Sequence, residues 1–118
     1  MLGWERLVLL GILGGKPKLS YPPALNKPVA EFSIAINRVW KDEAGAKHED
    51  TEWRHCKAFG KTAELITQSF NQGDPILITD ARLKTESWVG HDGAKNTLMT
   101  VIVGDFKFIK SKNAKATS

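Results

Sequence analysis

The stretch Thr51–Gly60 constrains the fold of this chain most, because it reads as a β-strand with two unlike faces. Side chains alternate between the faces of a strand. The small Cys56 and Ala58 share one face and suit a packed core. The opposite face carries two large aromatic rings, a cation and a titratable ring, namely Trp53, His55, Lys57 and Phe59.

Two interpretations of the aromatic face remain open from this stretch alone. Trp53 and Phe59 would lie about 20 Å apart at ~3.3 Å per residue, which leaves room for several nucleotides. Aromatic planes with cations between them hold single-stranded nucleic acid without sequence preference. An ordinary amphipathic strand, whose Trp and Phe pack in a core or an interface, fits the same pattern equally well.

The length of 118 residues is enough for one domain with a modest core. The chain contains one cysteine, which excludes an intrachain disulfide and favours a reduced, cytoplasmic setting. The most apolar run, Leu7–Leu13, is far shorter than the ~20 residues that a membrane helix needs. We therefore interpret it as a buried strand and expect no association with a membrane.

The formal net charge of +4 is concentrated near the C-terminus. Four of the 17 Lys and Arg residues follow Asp105, the last acidic residue, and they are Lys107, Lys110, Lys112 and Lys115. The remaining 13 basic residues balance the 13 acidic ones. If the body of the chain binds nucleic acid, it must therefore use local pattern and stacking more than bulk charge.

Alternating apolar residues predict five strands along the chain. They are Leu7–Leu13, Val29–Trp40, Thr51–Gly60, Ile76–Trp88 and Leu98–Ile109, and a short extended piece, Pro17–Tyr21, follows the first strand. The polar stretch Lys41–Glu49 is predicted to form a long hairpin loop. Strict alternation places Trp40 on the side of Phe32 and Ile36, so either a twist or bulge re-aims it or it packs. Trp4, at the entrance to the first strand, is predicted to pack.

A single short helix is predicted after Gly60, because Ala63, Ile66 and Phe70 fall at helical spacing and Gly73 suits a C-terminal cap. Five strands with one helix between the third and fourth indicate a mainly all-β Greek-key barrel, the OB-fold. This domain is predicted to span residues 1–109. Residues 110–118 lack apolar periodicity, and we expect a flexible basic tail there.

Six segments, in order and at matching spacing, resemble the bacterial single-stranded DNA-binding protein (SSB) family. They are Val8–Gly11, Pro17–Tyr21, Val29–Ala35, Thr51–Trp53, Phe59–Glu64 and Arg82–Trp88. The resemblance implies a non-enzymatic protein that binds single-stranded DNA without sequence preference in replication, recombination or repair. It also implies a homotetramer, with a dimer as the alternative, in the bacterial cytoplasm and nucleoid or encoded by a plasmid or phage.

The family's stacking aromatics fall on four aromatic positions of this chain, Trp40, Trp53, Phe59 and Trp88. Five cations around them are expected to neutralise phosphates, and they are Arg38, Arg54, Lys57, Lys61 and Lys84. An alternative from another class is a primosome-like OB-fold adaptor in replication restart, whose aromatic face binds a protein partner as well as single-stranded DNA.

The chain departs from the family pattern at several positions. Arg54 follows Trp53 where family members often have His at a subunit interface, which puts the stability of a tetramer in question. Ala81 replaces a Gly and is expected to straighten a bend, and Glu86 replaces a common basic residue and removes one phosphate contact. The final stretch Ala114–Ser118 is basic where the family has an acidic tip that recruits replication and repair proteins, so no such recruitment is expected.

The pattern predicts no catalytic residue, no metal site and no cofactor. The three histidines share no ligand-like spacing with one another or with Cys56, and they are His48, His55 and His91. A nuclease would need carboxylates paired around a metal. The acidic cluster Glu49, Asp50 and Glu52 lies where a polar loop enters a strand, and we interpret it as solvated charge.

Overall fold

A computed structural model describes residues 2–109, and within them it contains six strands and one helix. In chain order these are β1 (Leu7–Leu13), β2 (Lys18–Ser20), β3 (Val29–Lys41), β4 (Lys47–Phe59), α1 (Gly60–Ser69), β5 (Pro75–Val89) and β6 (Lys95–Phe108). The five long strands and the helix confirm the predicted elements, and β2 is the short extended piece. The predicted tail, residues 110–118, lies outside the described residues.

The five long strands close into a barrel, because β1 pairs antiparallel with β5 at one side and with β3 at the other. The order around the barrel is β1, β5, β6, β4 and β3, and β2 adds to the free edge of β3. β4 and β6 pair in parallel at His55–Lys57 and Thr100–Ile102. With α1 between the third and fourth long strands, this arrangement confirms the predicted OB-fold.

Alternate positions of the strands supply the core, as the period-two pattern predicts. Its largest fully buried apolar side chains are Leu13, Ile34, Ile66, Ile76, Ile78 and Val101. The helix contributes the buried Ala63 and Ile66. Gly60 starts that helix at a φ of +65°, a conformation that suits glycine, and its N–H donates to the Pro28 carbonyl at 2.9 Å.

Two long hairpins extend beyond the barrel core, and their length differs from the prediction. β4 begins at Lys47, so the loop after β3 is the short turn 42–46 and not a long loop over Lys41–Glu49. Asp42 organises this turn, because its carboxylate accepts the Ala46 N–H at 2.9 Å and its carbonyl accepts the Gly45 N–H at 2.9 Å. We call residues 37–51 the β3–β4 arm and residues 85–98 the β5–β6 arm.

Two local predictions, one at the end of α1 and one within β5, were wrong. The C-cap of α1 is Phe70, in extended conformation, and Gly73 instead forms the following turn at a φ of +89°. Its N–H donates to the carbonyl of Leu13 at 2.8 Å and so fastens this turn to β1. β5 is not straightened at Ala81, because its register with β6 shifts on both sides of Asp80.

Candidate nucleic-acid interface

The outer face of β4 carries the aromatic row that the alternation predicts. Cys56 and Ala58 are fully buried, whereas Trp53 on the opposite face is 59% exposed. Phe59 ends this row where β4 meets α1, and the Lys27 ammonium lies over its ring, 5.4 Å from the ring centroid. The structure thus places flat aromatic surfaces on the solvent side of a rigid, paired strand.

Trp53 borders an open groove of about 470 Å³ between β4 and the β1–β2 loop. The groove is lined by Gly14, Gly15, Lys16, Lys18, Glu31, Phe32, Ser33, Trp53 and His55. A Cβ atom on Gly14 would lie only 2.5 Å from Cζ3 of the Trp53 indole, so the ring rests against the loop backbone. The groove thus combines an aromatic wall with two lysine side chains.

Lys16 and Lys18 are residues of this site that sequence reasoning missed. They flank Pro17 just after the Gly14–Gly15 pair, and the pairing of β1 and β2 with β3, and of β3 with β4, brings them beside Trp53. Lys16 Nζ is held 3.2 Å from the side-chain oxygen of Asn71. The sequence signal was two lysines after a flexible glycine pair, which is too common to single them out.

Trp40 lies on the β3–β4 arm and is 48% exposed. The β3–β4 ladder runs without a register shift from Val29 to Lys41, so no bulge re-aims the side chain. Alternation fails to bury Trp40 because the arm has left the barrel and both of its faces meet solvent. Its indole stacks on the His48 ring across the arm, with centroids 5.4 Å apart and planes at 19°.

Asp42 holds the His48 ring in place, since His48 Nε2 lies 2.8 Å from Asp42 Oδ2. The contact with His48 is the largest of the effects that lower the pKa of the Asp42 carboxyl. The turn, the imidazole and the indole thus form one connected group at the tip of the arm. His48 covers one face of the Trp40 indole.

Arg38 and Arg54 share a face with Trp40 and lie opposite the row of Trp53. This follows from the ladder, in which Arg54 pairs with the buried Ile34. Both guanidinium groups contact Glu52 Oε2, at 3.1 Å from Arg38 Nε and 3.4 Å from Arg54 Nη2. The predicted site residues are therefore divided between two faces of the β3–β4 hairpin.

Trp88, 51% exposed on the β5–β6 arm, continues the outer face of β4 across β6. Between Ala81 and Val89 the register of β5 is regular, so the outward side chains form one row, Arg82, Lys84, Glu86 and Trp88. This row joins that of Trp53 because Lys57 Nζ reaches Glu86 Oε1 at 3.3 Å. Trp53, Phe59 and Trp88 consequently share one continuous surface.

Lys57 is held by two carboxylates at the centre of this surface. Glu31 Oε1 lies 3.8 Å from its ammonium, in addition to Glu86. The hydroxyl of Thr100 donates to Glu86 Oε1 at 3.0 Å and, with the nearby Lys57 and Lys84, lowers the pKa of that carboxyl. Glu86 therefore stays ionised at neutral pH, and its negative charge would repel a phosphate group at this position.

Lys61 and Lys84 are the predicted cations that no carboxylate contacts within 4.0 Å among residues 2–109. Lys61 is exposed in the first turn of α1, next to Phe59. Lys84 is exposed on β5, two residues from Glu86. These two ammonium groups remain available to phosphates.

Trp4 does not pack, contrary to the prediction, and is 82% exposed. The Arg6 guanidinium lies over its ring, with Cζ 5.6 Å from the centroid. Trp4 lies before β1, in a segment that runs along β5. No strand within residues 2–109 therefore covers the Trp4 indole.

The described residues contain no group of three or more His, Cys, Asp or Glu side chains that could hold a metal ion. Cys56 is fully buried, and desolvation raises the pKa of its thiol to about 12. Across residues 2–109, α1 is too short and too polar to cross a bilayer.

Residues 4–109 match the model of the single-strand binding protein family. This chain belongs to that family. The SSB-family chain is 32% identical over 112 residues to a single-stranded DNA-binding protein of Clostridium perfringens, covering 95% of this chain and 70% of the relative. It is 28% identical over 109 residues to one from Neisseria meningitidis serogroup A, covering 92% of this chain but only 62% of the relative's length.

The fold of the SSB-family chain is also found in a solved structure of a Plasmodium falciparum SSB in complex with single-stranded DNA. The TM-score is 0.83 at 20% sequence identity, over 93% of this chain and 98% of that one. This likeness supports the OB-fold at a level of identity where individual side chains are not comparable.

Proposed function

We propose that this protein binds single-stranded DNA without sequence preference, by stacking bases on exposed aromatic rings, and protects it in replication, recombination or repair. The observation that carries the proposal is the continuous outer surface of β4, β6 and β5, with Trp53, Phe59 and Trp88 on it. Trp40 adds a fourth ring on the β3–β4 arm. Stacking contributes roughly 1–3 kcal/mol per base.

Phosphate contacts play the smaller part in this proposal. Lys61, Lys84, Lys16 and Lys18 supply cations around the rings, whereas Lys57, Arg38 and Arg54 already contact carboxylates. A surface that combines bare aromatic planes with partly neutralised cations favours the faces of unpaired bases over the phosphates of a duplex. No contact among residues 2–109 favours the adaptor hypothesis.

We also propose that the protein acts as a homo-oligomer, a tetramer by resemblance to the family. β1 turns three apolar side chains outward, with Val8 62%, Leu10 57% and Ile12 44% exposed. β3 pairs with β1 only at Ile12 and Leu13, so the first part of β1 is paired along one edge. An exposed apolar stripe of this kind marks a surface for association with protein.

A titration of tryptophan fluorescence tests the proposed function. Oligo(dT) and a duplex of equal length are each added at low and at high salt. We expect deep quenching by the single strand that persists at high salt, and little quenching by the duplex, because only unpaired bases can stack on the indoles. Weak quenching that disappears with salt would reduce the interaction to charge alone and contradict the proposal.

A further inference from the structure

Trp4 is a fixed feature of the surface although it is 82% exposed. The next residue, Glu5, accepts the backbone N–H of Leu83 on β5 at 2.9 Å. β1 then begins at Leu7, which pairs with Ala81, also on β5. The chain on the C-terminal side of Trp4 is thus held against β5. This fixes the position from which the Trp4 indole projects into solvent.

Arg6 and Asp80 orient the ring itself. The Arg6 guanidinium lies over the indole at 5.6 Å, and its Nε is 3.5 Å from Asp80 Oδ1. A guanidinium held between a carboxylate and an aromatic face restricts the ring through cation–π attraction. One face of the indole is therefore covered by a cation, and the opposite face is open.

The position of Trp4 makes it continuous with the candidate nucleic-acid interface. It borders a shallow groove of about 330 Å³ whose lining includes Arg82, Ile102 and Gly104. Ile102 pairs with Arg82 on one side and with Lys57 of β4 on the other. The strands β4, β6 and β5 together span about 10 Å at ~4.8 Å between neighbours. A single-stranded DNA that leaves the outer face of β4 in this direction therefore meets Trp4 directly.

We propose that Trp4 is an additional base-stacking platform, with Arg6 beneath the indole and Arg82 beside it as a phosphate contact. The ligand is a nucleobase of a single strand that has already crossed the surface of Trp53 and Trp88, so this inference rests on the proposed function. Trp4 lengthens the stacking path beyond β5 and increases the number of nucleotides that one chain occupies.

A protein with Trp4 as its sole tryptophan tests this directly. Phe replaces Trp40, Trp53 and Trp88, which keeps an aromatic ring at each position. Binding of end-labelled oligo(dT) is followed by fluorescence anisotropy, and Trp4 emission is recorded in the same samples. We expect Trp4 emission to be quenched in parallel with the rise in anisotropy.

The matched variants are Trp4→Ala and Leu2→Ala, since Leu2 is fully exposed in the same segment. We expect Trp4→Ala to weaken binding of a long oligo(dT) about 5- to 10-fold, the lower part of the range for one stacked base, and Leu2→Ala to leave it unchanged.

Three results would overturn the inference. A rise in anisotropy without quenching of Trp4 would leave the proposed function standing and exclude this platform. A change in sedimentation of Trp4→Ala, with unaltered affinity per site, would assign the ring to a subunit contact. No binding of oligo(dT) by the wild-type chain would remove both this inference and the proposed function.

Discussion

The backbone of the β1–β2 loop lies against the indole of Trp53 at Gly14. This contact depends on Gly14 alone, because any side chain at this position would collide with the ring. The ring is the far end of a half-exposed side chain, so it can swing away at little cost to stability. A methyl group at this position is therefore expected to displace the Trp53 ring, which we propose stacks on bases, without unfolding the barrel.

Gly14→Ala is expected to weaken oligo(dT) binding several-fold while the melting temperature changes little. The added Cβ would come within 2.5 Å of Cζ3 and 2.9 Å of Cη2 of Trp53, which forces the indole out of position. Fluorescence titration and thermal unfolding measure the two effects. Gly15→Ala is the control, because nothing lies within 4 Å of its added Cβ, and equal behaviour of the two variants would contradict this account.

Trp53→Ala is expected to cost more affinity for oligo(dT) than Lys57→Ala at moderate salt. Removing a stacking ring loses about 1–3 kcal/mol per base. Lys57 already contacts Glu86 at 3.3 Å and Glu31 at 3.8 Å, so its bond to a phosphate replaces existing ion pairs. Dissociation constants from anisotropy titrations compare the two variants. An equal or larger loss of affinity in Lys57→Ala would show that charge contributes at least as much as stacking.

At the scale of elements, the two arms position as many of the exposed tryptophans as the barrel does. The β3–β4 and β5–β6 hairpins hold Trp40 and Trp88 beyond the core, where strand pairing continues but neither face is buried. On the β3–β4 arm a side-chain contact, and not packing beneath it, positions the ring: His48 stacks on Trp40.

His48→Ala is expected to lower the affinity for oligo(dT) a few-fold, because an aromatic pair is worth about 0.5–1.5 kcal/mol and orients the Trp40 ring. Acrylamide quenching of tryptophan should increase at the same time, as the covered face of Trp40 opens. His91→Ala, an exposed histidine in the β5–β6 turn, serves as the control. In a Trp40→Ala background the His48 substitution should add nothing further, and a full additional loss would refute the link.

Sequence pattern predicted the elements well where one face of a strand is buried. In β4 the alternation correctly separated Trp53 from Cys56, because the core enforces it. Alternation also placed Trp40 on the face of Phe32 and Ile36, but it could not show that this face is exposed there, since both faces of the arm meet solvent. Lys16 and Lys18 were missed because tertiary pairing of β1 and β2 with β3, and of β3 with β4, brings them to Trp53. Trp4 was assigned to packing because it lies at the entrance to the first strand.

At the scale of the whole molecule, charge and apolar surface have different roles. The balanced charge of residues 1–106 leaves little general attraction for polyanions. The apolar stripe of β1 is the surface that we propose for assembly, and an oligomer would bring several proposed stacking surfaces to one DNA strand. Affinity for long single strands would then grow through multivalency.

Leu10→Lys is expected to convert the oligomer to monomers, because an ammonium group at a closed apolar contact has no partner and costs several kcal/mol. Leu10 is 57% exposed in the isolated chain, so the substitution leaves the fold intact. Sedimentation velocity measures the change. Leu25→Lys is the control, at a leucine 46% exposed in the turn-rich stretch before β3, and a monomeric wild-type chain would rule out the assembly.

The burial of Cys56 has a consequence for how the protein meets oxidants. Its sulfur is the chain's one thiol, it is fully buried, and its pKa of about 12 keeps it protonated at physiological pH. Disulfides and alkylating agents react with the thiolate form of cysteine, so the Cys56 thiol is unreactive while the barrel is folded. We therefore expect that a cysteine engineered on the surface could be labelled selectively without replacing Cys56.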